Sequence, residues 1–350
     1  MPDGEMTPKE RFLAVMRGRQ SDFVPSDPCL DSIVPARAAG LRVDQFYLDP
    51  QACVQALLAT HEMFGFDGIQ LGCGSGQYPE LFGGNCVYPE DSYPMREEPV
   101  FTTREELDRA IVPDPNEVPV FRNMIEATRV LSGRIGDTVA IGGRTPGTFN
   151  VVRALIGVDA LLRGLATDPG LVHRAAELAC ECLIAAGKAY LAAGAIYVHY
   201  PDAVSSPAFL SPRQYREFAM PYHARFFTAM KEAGALTVYH PCGGEYPILC
   251  ELREVPGVDA YHFSELVDVG VARQIYGPDV VLWGNVDPHV TMLMGKVEDV
   301  EREVAGIIGK AGRAGNLVMC LGCSTPGNTP LENLKSMARA CREHGRYPLV

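Results

Sequence analysis

Positive charge is scarce in this 350-residue chain. Its 31 Lys and Arg face 43 Asp and Glu, for a formal net charge of −12. No basic cluster offsets that balance, so a polyanion would meet general repulsion, and nucleic acid is not an expected partner. Long apolar runs are missing too. No stretch approaches the length of a membrane span, so no membrane association is expected. The first twenty residues carry Lys9, Arg11, Arg17 and Arg19 among apolar neighbours with no continuous hydrophobic segment. They read as the start of a helix and not as an export signal. The nucleotide-binding pattern G-x-G-x-x-G is absent; Gly72-Cys73-Gly74-Ser75-Gly76 comes near it and fails the spacing. Repeats and low-complexity tracts are absent as well. Eleven cysteines, an odd number scattered over a large chain, point to reduced thiols and a cytoplasmic location, several of them serving as small buried hydrophobes.

What is present is an alternating pattern. Hydrophobic residues make up 47% and charged residues 21%, as in ordinary globular proteins. Thr7-Pro8-Lys9-Glu10 has the form of a capping box and opens a helix that stops at Arg17-Gly18. Further helices are predicted over 50–64, from Asp168-Pro169 to Gly194, from Ser211-Pro212, and from Thr329-Pro330 to about Gly345. Short apolar segments fall between them: Phe23 to Cys29, Phe66–Cys73, Asp137–Gly143, Ala195–Tyr200, Ala235–His240, Val258–Phe263, Asp279–Gly284 and Asn316–Leu321. Eight such strands alternating with helices predict an α/β fold, a single (β/α)8 barrel spanning 1–350, with a doubly wound open sheet as the alternative. The proline-rich stretch Gln77–Asn116, after the second strand, has little periodicity and is expected to be an insertion: a lid, a small β excursion or plain decoration.

In a barrel of this kind the chemistry sits on the loops that follow the strands. The polar residues at those ends are Cys73, then Arg144 and Thr145, then Tyr200 and Asp202, then His240 and Cys242. His262, Ser264 and Glu265 follow, then Asn285 and Asp287, and finally Cys323. Within Thr237–Gly244 (T-V-Y-H-P-C-G-G), His240 and Cys242 stand two residues apart at a strand end, so both side chains are expected on one face. Imidazole and thiolate donors suit zinc. Cys323 lies in the turn-forming run G-C-S-T-P-G-N-T-P, not on an apolar face. Together with Glu265 it completes a tetrahedral donor set, His240, Cys242, Glu265 and Cys323. Asp202 and the more distant Glu217 compete for the oxygen position. Arg144 is a candidate anchor for an anionic substrate tail, and Tyr200, Asp202, Asn285 and Asp287 are candidate cofactor or substrate contacts. His199 and Tyr239 are expected in the barrel wall or core, and His61, His173, His223 and His344 on helices away from the site.

H-P-C-G-G followed by Cys323 in G-C-S-T-P-G-N-T-P-L-E-N-L resembles the cobalamin-dependent methyltransferase branch of the uroporphyrinogen decarboxylase superfamily. The resemblance extends over nearly the whole chain, through R-F-L-A-V-M-R-G, D-F-V-P and L-S-P-R-Q-Y-R-E-F-A-M-P-Y. It implies that His240, Cys242 and Cys323 are zinc ligands, and that a methyl group passes between a corrinoid and a small thiol of the coenzyme M kind or a related methyl donor. Because the chain has no D-x-H-x-x-G corrinoid motif, the resemblance implies a separate corrinoid protein as partner. Glu265 resembles the glutamate after the sixth strand in the cobalamin-independent methionine synthases. Decarboxylases of the superfamily carry R-Q-A-G-R-Y after the first strand. Here Cys29-Leu30-Asp31-Ser32-Ile33-Val34 stands in its place, which argues against tetrapyrrole decarboxylation. A free thiol with pKa near ~8.5 is mostly protonated at neutral pH, and zinc binding deprotonates it. Two cysteinates and a glutamate leave the bound thiolate electron-rich, suiting alkyl transfer to sulfur better than activation of water.

Overall fold

In the computed structural model, which describes residues 5–96 and 98–349, each strand begins in the alternation the sequence shows. Seven parallel strands pair in chain order: β1 (Gly68–Leu71), β2 (Ala140–Arg144), β3 (Tyr197–Pro201), β4 (Leu236–His240), β5 (Ala260–His262), β6 (Val281–Trp283) and β7 (Leu317–Val318). The eighth predicted strand, Phe23 to Cys29, is held differently. Ser26 makes a parallel bridge to Met319, the Asp27 amide donates to the Met319 carbonyl, and the Asp67 amide donates to the Ser26 carbonyl. The segment therefore joins the two ends of the sheet. Pro25 and Pro28 lack the N–H groups that a full ladder needs. The ring is a (β/α)8 barrel with one irregular stave.

Period two decides which side chains fill the barrel. Tyr197, Val238, Ala260, Trp283 and Val318 point inward and pack with Phe12, whereas Val198, Tyr200, Tyr239, Tyr261 and Leu282 face the outer helices. Helix Pro8–Met16 closes the bottom of the barrel. Its capping box is formed as the sequence predicts, and Phe12 packs 4.8 Å from Tyr197 and 5.8 Å, edge-on, from Trp283. Gly142 makes room for the Tyr197 ring, because a Cβ there would lie 2.2 Å from it.

The remaining helix predictions land close. Helix Pro50–Phe64 ends on Gly65 at φ 67, and Asp168 caps Pro169–Ala192. The segment opened by Ser211 widens into a π-helical turn at Tyr215–Ala219 before continuing as Met220–Glu232. Pro221 cannot donate to that turn. The stretch Gln77–Asn116 is less irregular than predicted. It holds the end of a 3₁₀ segment (Ser75–Phe82), an antiparallel bridge Val87–Met95 and a short helix Arg104–Arg109. Tyr93 and Pro94 from this stretch lie on the wall of the cavity at the barrel mouth.

Candidate active site

The strand β4 ends at His240, and Pro241 stops the ladder. Cys242 then adopts a left-handed φ of 52, followed by Gly243 at 80 and Gly244 at 71. The thiol thus reaches the imidazole through a turn and not through strand alternation, which corrects the expectation from residue spacing. A non-glycine residue at positive φ is strained unless its surroundings hold it there. The two following glycines take the same region at little cost.

Cys323, on the loop beyond β7, meets this turn. The sulfurs of Cys242 and Cys323 lie 3.8 Å apart, and the donor atoms of His240, Cys242 and Cys323 all fall within 4.8 Å of one another. Two sulfurs each ~2.3 Å from a tetrahedral ion would be about 3.8 Å apart, so the spacing suits zinc. His240 donates through Nδ1 to the His262 carbonyl at 2.8 Å. That fixes its tautomer and leaves Nε2 as a lone pair, buried without a hydrogen-bond partner. A backbone acceptor behind a ligand imidazole is the usual support of a metal-binding histidine. The contact with Cys242, with His240 close by, holds the Cys323 thiol well below its ordinary range. The Cys323 thiolate and burial push Cys242 up.

Glu265 stands next to this group without joining it at ligand spacing. Its Oε2 is buried and unpartnered, and burial, with the Cys323 charge, raises its pKa. Gly322 allows the approach, since a Cβ there would come 2.7 Å from Oε2. The other carboxylate candidates are engaged elsewhere. Asp202 is fully buried, accepts from the amides of Phe149 and Asn150 at 3.0 Å each, and meets His223 Nε2 at 3.0 Å. It caps helix Thr148–Ile156 at its N-terminal turn and gives His223, expected to be an idle helix residue, a buried partner. Glu217 lies in the turn Tyr215–Ala219, half exposed near Arg213.

Three further candidates also serve the scaffold. Tyr200 turns outward and bonds Thr148 through its hydroxyl. Asn285 holds the carbonyls of Ser264 and Val267. Asp287 caps the turn Pro288–Leu293. Strand ends in this barrel feed both the cavity and the adjoining helix caps, and residue type alone does not separate the two. Glu245, absent from the sequence-based set, is fully buried behind the Cys242 turn and accepts from Ser264 N and Oγ at 2.9 and 2.8 Å. Its position directly after H-P-C-G-G was the available signal.

The His240–Cys242–Cys323 group opens on a cavity of about 390 Å³, whose walls also include Asp31, Gln70, Cys73, Gln77, Tyr93, Arg144 and Ser324. Arg144 forms an ion pair with Asp31 and donates to Ser324 Oγ at 3.2 Å. The expected free anchor for an anion is therefore already paired. Gln70 donates to Asp27 and Gln77 accepts from the Gly74 amide, which leaves Gln70 Oε1 and Gln77 Nε2 buried without partners.

The chain is 26% identical to a methylated-thiol–coenzyme M methyltransferase of Methanosarcina mazei, with 97% of this chain and 90% of the relative covered. It is 25% identical to the methylcobamide:CoM methyltransferase MtaA of Methanosarcina barkeri, over 97% and 99% of the two chains. A uroporphyrinogen decarboxylase of Psychromonas ingrahamii is 25% identical over 76% of this chain and 75% of its own. A solved methyltransferase structure from Methanosarcina mazei superposes with a TM-score of 0.88 at 25% identity, covering 97% and 99% of the chains. The uroporphyrinogen decarboxylase (URO-D) family model matches residues 7–344, and the chain belongs to that family.

Proposed function

We propose that this protein is a zinc-dependent methyltransferase that moves a methyl group between a methylated corrinoid, carried on a separate protein, and a small thiol. The observation that carries the reading is the buried Nε2 of His240, unpartnered and beside two cysteine sulfurs at tetrahedral spacing. The names of the methyltransferase relatives support the reaction class.

His240, Cys242 and Cys323 would hold the zinc, and Glu265, beside them with a buried, unpartnered Oε2, would have to move in to serve as the fourth donor. Zinc bound there supplies the positive charge that keeps an incoming thiol deprotonated at neutral pH. The residues of the chain do the rest. The His262 carbonyl keeps the imidazole in one tautomer. The two cysteine sulfurs make the donor set electron-rich, which favours a nucleophilic substrate sulfur over an acidic water. The cavity orients the thiol toward the mouth and limits water at the reacting sulfur. Around that mouth, the loops after β3 to β6 expose Phe209, Tyr246, Leu266, Val290 and Met294, an apolar rim suited to a docking corrinoid protein.

The test combines metal analysis with corrinoid spectra. Purified protein should contain about one zinc per chain, and methylcobalamin should yield cob(I)alamin only when protein and a thiol are both present. Metal-free protein active as a decarboxylase would replace the reading. Zinc-loaded protein inert toward methylcobalamin with every thiol tried would make the chain an accessory binder. Full zinc and full turnover in both Cys242→Ala and Cys323→Ala would overturn the ligand assignment.

A further inference from the structure

This inference rests on the methyl-transfer reading and concerns what the cavity accepts. Among the described residues lining the cavity, Asp31 and Arg144 are the charged side chains outside the metal-binding group. They are paired with each other, and both are mostly shielded from solvent. A thiol whose tail bears a lone negative charge gains little from an arginine already neutralised at contact, and it meets the Asp31 carboxylate beside it. A tail carrying both charges can engage each member of the pair with its opposite.

The unpartnered amide atoms on the same wall fit that pattern independently. Gln70 Nε2 is committed to Asp27, so the atom left unsatisfied is an acceptor, the buried Oε1. Gln77 Oε1 is committed to the Gly74 amide, so the atom left unsatisfied is a donor, the buried Nε2. Both side chains are almost wholly buried. Buried polar atoms of this kind are costly until a ligand satisfies them. One acceptor and one donor, added to one carboxylate and one guanidinium, form a wall that matches an ammonium and a carboxylate together.

We propose that the thiol substrate is zwitterionic, an amino-acid thiol whose ammonium meets Asp31 and Gln70 Oε1 and whose carboxylate meets Arg144 and Gln77 Nε2. The sulfur end then faces His240, Cys242 and Cys323. The experiment measures kcat/KM with methylcobalamin for homocysteine, 2-mercaptoethanesulfonate and the neutral 2-mercaptoethanol, using full-length zinc-loaded protein. Homocysteine should exceed the sulfonate by about tenfold or more, a ratio of the size that one charge-assisted contact supplies. Asp31→Asn should reverse that order by freeing Arg144 for the sulfonate. Gln77→Leu, which leaves the ion pair intact, should raise KM for homocysteine more than for 2-mercaptoethanol. A wild-type preference for the sulfonate, or an unchanged order in a folded Asp31→Asn together with an unchanged KM in Gln77→Leu, overturns the zwitterion assignment while methyl transfer stands. Absence of cob(I)alamin with all three thiols overturns the methyl-transfer reading and this inference with it.

Discussion

Two clusters of histidine and cysteine lie one above the other in this barrel, and they differ in which donor atoms are left unshared. The lower one, in the lumen, brings Cys29, His199 and His262 within 4.8 Å of one another, with Cys320 Sγ 3.4 Å from Cys29 Sγ. Its lone pairs and protons are largely used up. His262 donates through Nε2 to the Leu321 carbonyl and accepts through Nδ1 from His199 Nε2 at 3.1 Å. Cys29 accepts from Gln70. The upper cluster has the same residue types, yet His240 keeps a buried, unshared Nε2 and the group opens onto a cavity. Ligand capability thus depends on which donor atoms remain after the protein has made its own hydrogen bonds, not on a list of residue types.

The largest expected effect separates the two clusters directly. Cys242→Ala or Cys323→Ala should lower zinc affinity by more than about 100-fold, the upper range seen when a mere supporting partner is removed, and abolish turnover. Cys29→Ser should leave the zinc content unchanged. Metal analysis after dialysis against a chelator checks both, and a second metal equivalent lost in Cys29→Ser would erase the contrast. Next comes the difference between scaffold and site carboxylates. Asp202→Ala strips a buried partner from His223 and two amides, and should cost about 3–5 kcal/mol in urea unfolding with zinc content retained.

The third effect is a pH dependence rooted in the lumen. Burial holds His199 and His262 well below the usual histidine range. In the unfolded chain they take up protons near pH ~6.5, and in the folded protein they do not. Unfolding therefore binds protons below that pH, and acid destabilises the fold while stability is regained as pH rises through it. His199→Gln should make the slope of unfolding free energy between pH 5 and 6 shallower by about 1.4 kcal/mol per pH unit. An unchanged slope would mean that the ring is protonated in the folded state. The smallest effect belongs to Glu265→Gln, which should lower zinc affinity by less than about tenfold because three stronger ligands remain. Competition with a chromophoric chelator would measure it.

Much of the fold was legible because it rests on short-range rules. Thr7 and Glu10 form their capping box, Gly65 ends its helix, and all seven strands begin within a few residues of their predicted starts. The first stave was overcalled, since apolar content cannot show that two prolines will limit pairing to isolated bridges. At the site, His240, Cys242 and Cys323 could be picked out because few structural duties suit a histidine and two cysteines in glycine- and proline-rich turns. Asp202, Tyr200, Asn285 and Asp287 could not be sorted in the same way. A polar residue at a strand end is equally fit to cap a helix or to meet a substrate, and the choice depends on which amides lie nearby.

What the chain by itself determined is the alternation of strand and helix and the choice of His240, Cys242 and Cys323 as candidate soft-metal donors, because periodicity and residue chemistry are local properties. Only the folded barrel decided that Nε2 of His240 is left unshared, that Arg144 is matched with Asp31, and that Gln70 and Gln77, on the cavity wall, are left with one acceptor and one donor unpartnered. Those outcomes follow from competition among hydrogen-bonding groups far apart in sequence, and such a competition is resolved only when packing brings the rivals together.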